Sequence, residues 1–144
     1  MSRFDPEEEI KKLGIPIEYL QLRDSLAVWD ASRRKVYCAL GLGLIEKRCA
    51  LGHELAHIRL GHRSCSCGKG GMVAALVQER AAELWAARHL ISEVDLAIAR
   101  ESGLPSATIS RALGVTERMY RARLLAQEDD LRCWLAPHGL SQTG

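Results

Sequence analysis

Aromatic residues are scarce in this chain: three tryptophans, three tyrosines and one phenylalanine among 144 residues. The apolar positions are filled mainly by alanine and leucine, which favours helices over a β-sandwich. No apolar run approaches the length of a membrane span. The opening "MSRFDPEEEI" is acidic and has no apolar h-region, so no signal peptide is expected. A net charge of +2 is too small to argue for nucleic acid by itself. The five cysteines (Cys38, Cys49, Cys65, Cys67 and Cys133) are odd in number and follow no disulfide-scaffold spacing. A reduced, cytoplasmic protein without a membrane role is the expectation. The chain has no internal repeat and no low-complexity tract.

Hydrophobic residues make up 47% of the chain, enough for a real core in one domain with an appendage. "DPEEEIKKLG" predicts a short helix: Asp5 can cap it, Pro6 suits its first turn and Gly14 ends it. "IPIEYL" reads as extended. "LAVWD" and "KVYCAL" are β-type runs separated by "ASRR", a hairpin. A helix is expected from about Leu44 to Leu60, with Arg48 and Arg59 sharing one face and His53 and His57 pointing inward with Cys49, Ala56 and Leu60. A glycine-rich loop follows, then a second helix from about Met72 to Ile91. Three short helices are expected near 93–102, 105–113 and 116–128, and a flexible tail over 136–144. Cys38, Cys49, Trp29 and Trp85 read as core residues.

Within the first long helix stands His53-Glu54-Leu55-Ala56-His57, an H-E-x-x-H motif. Residues i and i+4 lie one above the other on a helix, so both imidazoles can reach one zinc ion. A catalytic zinc needs three protein ligands and an open position, and Glu54 can serve as general base. The metzincin extension would place glycine at 60 and histidine at 63; Leu60 and Arg63 stand there, which excludes it. A thermolysin-like site takes a carboxylate from a second helix. "QERAAELWAARHLI" offers Glu79 and Glu83, on a stripe with Met72, Leu76, Ala82, Ala86 and Leu90. Two inward carboxylates are costly unless compensated. One could bind the metal while the other accepts a hydrogen bond from a ligand histidine. The bland alternative, a pair of satisfied core histidines, leaves those two carboxylates unexplained.

The run "RCALGHELAHIRLGH…QERAAELWAARHLI" resembles the ImmA/IrrE-type metallopeptidases of phages, mobile elements and bacterial stress regulators. Their pattern is H-E-L-x-H-x-x-L-G-H, then E-x-x-A-[DN]-x-[FW]-A-A-x-x-L-[IM], and the resemblance covers about 15–91. It implies an α+β, mainly α, zincin-like (gluzincin) core with a small β-hairpin or sheet. It also implies His53, His57 and Glu79 as zinc ligands and Glu54 as the base. Glu83 falls where the family has Asp or Asn, which leaves it a role in holding a ligand histidine. The substrate implied is a helix-turn-helix repressor, cleaved to derepress a phage or mobile element.

His62 reads as a cation at the helix C-terminus, lying past Gly61 and so not a ligand. His62, Tyr37, His89 and Tyr120 are candidates to contact substrate or stabilise the oxyanion. Cys65-x-Cys67 lacks the spacing of a zinc-knuckle half and has no second half. The division expected is a metallopeptidase domain over 1–92 and a helical, helix-turn-helix-like subdomain over 93–135. Arg118, Arg121 and Arg123 form a modest basic face that could contact DNA. Glu117, Glu128, Asp129 and Asp130 flank that face, which favours a compact helical cap instead. The competing reading is a non-catalytic regulator, binding DNA or a repressor and holding a structural zinc.

Overall fold

The computed structural model describes residues 3–63 and 71–135. Cys65 and Cys67 and the tail over 136–144 lie outside the described residues. The fold is α+β, mainly α. The first element, α1 (Pro6–Lys12), is capped by Asp5, whose carboxylate accepts the N–H groups of Glu7 and Glu8. The three strands are β1 (Ile17–Leu20), β2 (Ala27–Asp30) and β3 (Lys35–Ala39). β2 and β3 form the expected antiparallel hairpin, and Asp30 Oδ1 accepts the backbone N–H of Ser32 and Arg33 in its turn. "IPIEYL" supplies a third strand: β1 runs parallel to β3, giving the order β1-β3-β2. β2 is therefore an edge strand.

The helices are α2 (Leu44–Arg59), α3 (Gly71–Leu90), α4 (Glu93–Glu101), α5 (Ser106–Leu113) and α6 (Glu117–Leu135). α2 is packed on two sides. Leu51 and Leu55, each 1% exposed, face the sheet with Ile10, Val36 and Cys38. Cys49 and Ala56 face the helices, in a core that holds Ala82, Ala86 and Leu90 from α3 and reaches Leu96, Ile109 and Met119. Residues on both sides of position 92 thus share one core. Trp85 is half-buried and packs against both clusters, and half-buried Trp29 packs against the sheet-side one. Among the described residues, no helix is long and apolar enough to cross a membrane.

Three expectations need correction. Arg48 does not share a solvent face with exposed Arg59. Its guanidinium is half-buried and donates to the carbonyls of Phe4, Leu90, Leu113 and Gly114, which tie α2 to the ends of α3 and α5. The inward stripe of α3 does not begin at Met72. Met72 and Leu76 are 79% and 64% exposed, because α3 meets the core only from about Ala82 onward. The last helix runs to Leu135 rather than ending near 128, held to α3 by a two-pronged Arg88–Asp130 pair.

Candidate metal centre

Between its two packed sides, α2 turns Glu46, Ala50, His53 and His57 toward an open cleft of about 830 Å³. The spacing of four, three and four residues keeps these side chains on one stripe of the helix. α3 can approach closely because Gly52 has no side chain: a Cβ there would meet Leu90 Cδ1 at 3.0 Å. About three turns before Leu90, α3 carries Glu79 to the histidines. His53 Nε2 lies 2.8 Å from Glu79 Oε2, His57 Nε2 lies 3.0 Å from Glu79 Oε1, and the two Nε2 atoms are 3.1 Å apart. Bond lengths of about 2.0–2.2 Å put neighbouring ligands of a tetrahedral zinc about 3.4 Å apart. The donors stand about 0.3–0.6 Å inside that spacing. Gathering two imidazole nitrogens and a carboxylate this tightly is costly without a cation or shared protons between them. The donor set, two neutral nitrogens and one carboxylate, suits zinc.

Glu54 also lies close, with a carboxylate oxygen within 4.8 Å of the donors of both histidines. Its role differs from that of Glu79, because its Oε2 already accepts the backbone N–H of Trp29 at 2.8 Å. The residue is 9% exposed. Burial pushes its carboxyl up to about 7; the Trp29 N–H opposes this and the charge on Glu79 adds to it. A carboxyl balanced near neutral pH beside a metal-type donor set can take and return a proton. Burial likewise lowers the His57 imidazole, and the neighbouring His53 ring acts in the same direction. That favours the neutral form a metal ligand requires.

Beyond α2 the chain turns sharply. Gly61 sits at φ +71°, its N–H bonds to the carbonyl of Ile58, and the N–H of His62 bonds to the carbonyl of His57 at 2.9 Å. This is a Schellman C-cap. It carries the His62 ring back to His57, with the two Nδ1 atoms 3.0 Å apart.

The other residues singled out from the sequence go elsewhere. Tyr37 stands on the opposite face of β3 from buried Val36 and Cys38, its hydroxyl accepting from Arg33 at 3.4 Å. Strand alternation carries it away from the cleft. His89 bonds to the carbonyl of Trp85 one turn back and stacks on that indole at 3.7 Å. Tyr120 is 4% exposed inside the helical core. None of these three is positioned to stabilise an oxyanion. Glu83 does line the cleft, but it holds no ligand histidine: its Oε1 accepts from Arg118 Nε at 2.7 Å. The basic face of α6 is broken up in the same way. Arg118 is turned to Glu83, Arg121 lies 3.8 Å from Glu117, and Arg123 is 4% exposed and donates to the carbonyl of Ile91. Arg123 therefore cannot reach DNA.

Two features had no side-chain signal in the sequence. One is the Trp29 backbone N–H that holds Glu54. The other is the contribution of α6 and the turn before it to the cleft wall, through Thr116, Arg118 and Met119. Thr116 is brought in by the α5–α6 turn, where its N–H meets Cys49 Sγ and Arg48 grips the carbonyls of Leu113 and Gly114.

A search among curated proteins finds none that matches the chain. The family model of the IrrE N-terminal-like domain (peptidase M78) matches residues 11–125. The match runs beyond the segment that carries the sequence resemblance, through α4 and α5 and into α6, whose Arg118 and Met119 line the cleft. With the motif histidines and Glu54 gathered at one site and most of its length matched, the chain belongs to the IrrE N-terminal-like family of peptidase domains.

Proposed function

We propose that the protein is a zinc-dependent endopeptidase of the gluzincin kind that cleaves a helix-turn-helix repressor and so derepresses a phage or mobile element. The observation that carries the catalytic part is the convergence of His53 Nε2, His57 Nε2 and the Glu79 carboxylate beside buried Glu54 in an open cleft. A zinc ion held by those three residues would supply a Lewis acid for the scissile carbonyl and lower the pKa of a water toward about 7. With Oε2 tied to Trp29, Glu54 can use Oε1 to take a proton from the attacking water. The same atom can return that proton to the leaving amine nitrogen. A carboxyl near 7 suits both directions of transfer.

The edge strand β2 supplies a means to orient a peptide. Trp29 uses its N–H on Glu54 and pairs with Val36, so the pairs at Trp29 and Ala27 are the non-hydrogen-bonded ones of the antiparallel ladder. The N–H and C=O of Ala27 and the C=O of Trp29 therefore face out from the sheet on the cleft side. A substrate in extended form can add there as a further strand. Arg118 and Glu83 line the other wall.

The repressor as substrate rests on the family resemblance and on this fit to an extended backbone. Such a repressor acts in the cytoplasm, where Cys38 and Cys49 would remain reduced. A DNA-reading role for the C-terminal helices has less support, since Arg118 is paired and Arg123 is buried. The test is incubation of the zinc-loaded protein with a small helix-turn-helix protein encoded beside it. Cleavage by the wild type, lost in Glu54→Gln with zinc retained, is expected. Equal cleavage by both would overturn the proposal.

A further inference from the structure

His62 lies outside the ligand set, yet its ring is held against the deeper of the two ligand histidines. We propose that His62 is a positioning residue for His57: its Nδ1 accepts the Nδ1–H of His57 and so fixes the tautomer that leaves the His57 Nε2 lone pair for the metal. The inference rests on metal binding by His53, His57 and Glu79, and not on peptide hydrolysis.

A neutral imidazole carries one N–H, so of two Nδ1 atoms 3.0 Å apart one must donate and the other accept. The His57 Nε2 faces His53 Nε2 at 3.1 Å and Glu79 Oε1 at 3.0 Å, which is the donor cluster itself. To give a lone pair there, His57 must keep its proton on Nδ1. His62 is then the acceptor, and its own proton sits on Nε2. The rings are tilted by 59° with centroids 5.2 Å apart, an approach through the nitrogens rather than a stack. Metal-bound histidines usually give their second N–H to a carboxylate, a carbonyl or water. Here the His57 side chain is only 13% exposed, and an imidazole takes that place.

The backbone explains how residue 62 can do this. Five residues along a continuing helix would put it about 140° round the axis from His57. The Schellman turn at Gly61 folds it back instead. Its 6→1 hydrogen bond joins the same two residues, from His62 N–H to His57 C=O at 2.9 Å. Side chains near the two ends of such a turn commonly meet in an apolar contact. This chain has an imidazole pair there.

The test measures zinc affinity by chelator competition on the full chain, with the melting temperature of each zinc-free variant alongside. His62→Ala and His62→Phe should weaken zinc binding by roughly 10–100-fold, with little change in the zinc-free melting temperature. His62→Asn should recover most of the affinity, because its carbonyl oxygen falls where Nδ1 was. His62→Gln, which reaches toward the position of Nε2, should not. In the zinc-loaded wild type, long-range ¹⁵N–¹H NMR should show His57 protonated on Nδ1 and His62 on Nε2; this reading needs no variant to fold. Wild-type affinity in both His62→Ala and His62→Phe, or a His62 protonated on Nδ1, would overturn the proposal alone. A wild-type chain that holds no zinc would overturn the metal reading and this proposal with it.

Discussion

The two helices that build the candidate metal centre are held in very different ways. On α2, Leu51, Leu55 and Ala56 are at most 1% exposed, and Glu54 is fixed by burial and by a strand N–H. On α3, the turns before Glu79 are largely in solvent, with Met72, Val73, Leu76 and Val77 between 63% and 79% exposed. The Glu79 side chain is itself 58% exposed and engages the two histidines. Folding therefore sets the α2 half of the site. The α3 half depends on the contacts of Glu79 with the two histidines.

The largest effect should come from the rigid half. Glu54→Gln keeps the shape of the side chain but cannot take a proton, and kcat should fall by about 10²–10⁴ while zinc is retained. A stability comparison sharpens the contrast between the helices. Leu55→Ala should cost about 2–5 kcal/mol in chemical denaturation. Leu76→Ala, on the exposed stretch of α3, should stay within about 0.5 kcal/mol. Equal losses at the two sites would erase the distinction. Gly61→Ala should cost about 1–2 kcal/mol, because an L side chain at φ +71° is strained. It should also weaken zinc binding by shifting His62.

A modest, pH-dependent effect lies where α2 is tied to α1 and β1. Glu7 accepts the Tyr19 hydroxyl at 2.7 Å and pairs with Lys47 of α2 at 3.0 Å. The Tyr19 hydrogen bond first, with Lys47 and Lys11 adding to it against burial, lowers the Glu7 carboxyl from 4.5 to about 2. A lowered carboxyl stabilises the fold above its unfolded value. That contribution is lost as pH falls from about 4.5 toward 2. Glu7→Gln should therefore lower stability by on the order of 1 kcal/mol at neutral pH, with the difference from wild type shrinking as pH falls below about 4.5 and vanishing only below about 2. A pH-independent difference would contradict that origin.

Much of this was legible because it is local. The i, i+4 histidines, the cap at Asp5 and the hairpin around "ASRR" each depend on neighbours in the chain. Glu79 and Glu83 were legible as a pair, but their division of labour was not. One meets α2 and the other Arg118 of α6, and that difference is set by how the helices cross. The burial of Arg48 and Arg123 has no sign in the sequence, because their partners are carbonyls 32 to 66 residues away. Tyr37, His89 and Tyr120 had suitable chemistry, and only the packing shows them on the far face of the sheet, against Trp85 and inside the core. His62 was legible as the residue after a helix-ending glycine, but its contact with His57 comes from the geometry of that turn.

The assignment of the third ligand turns on Glu79 rather than Glu83, and metal content measures it without any knowledge of the substrate. Wild type, Glu79→Ala and Glu83→Ala should be purified side by side and their bound zinc determined. Stoichiometric zinc in the wild type and Glu83→Ala, with loss in Glu79→Ala, is the expected result. Zinc kept by Glu79→Ala and lost from Glu83→Ala would contradict the centre described above.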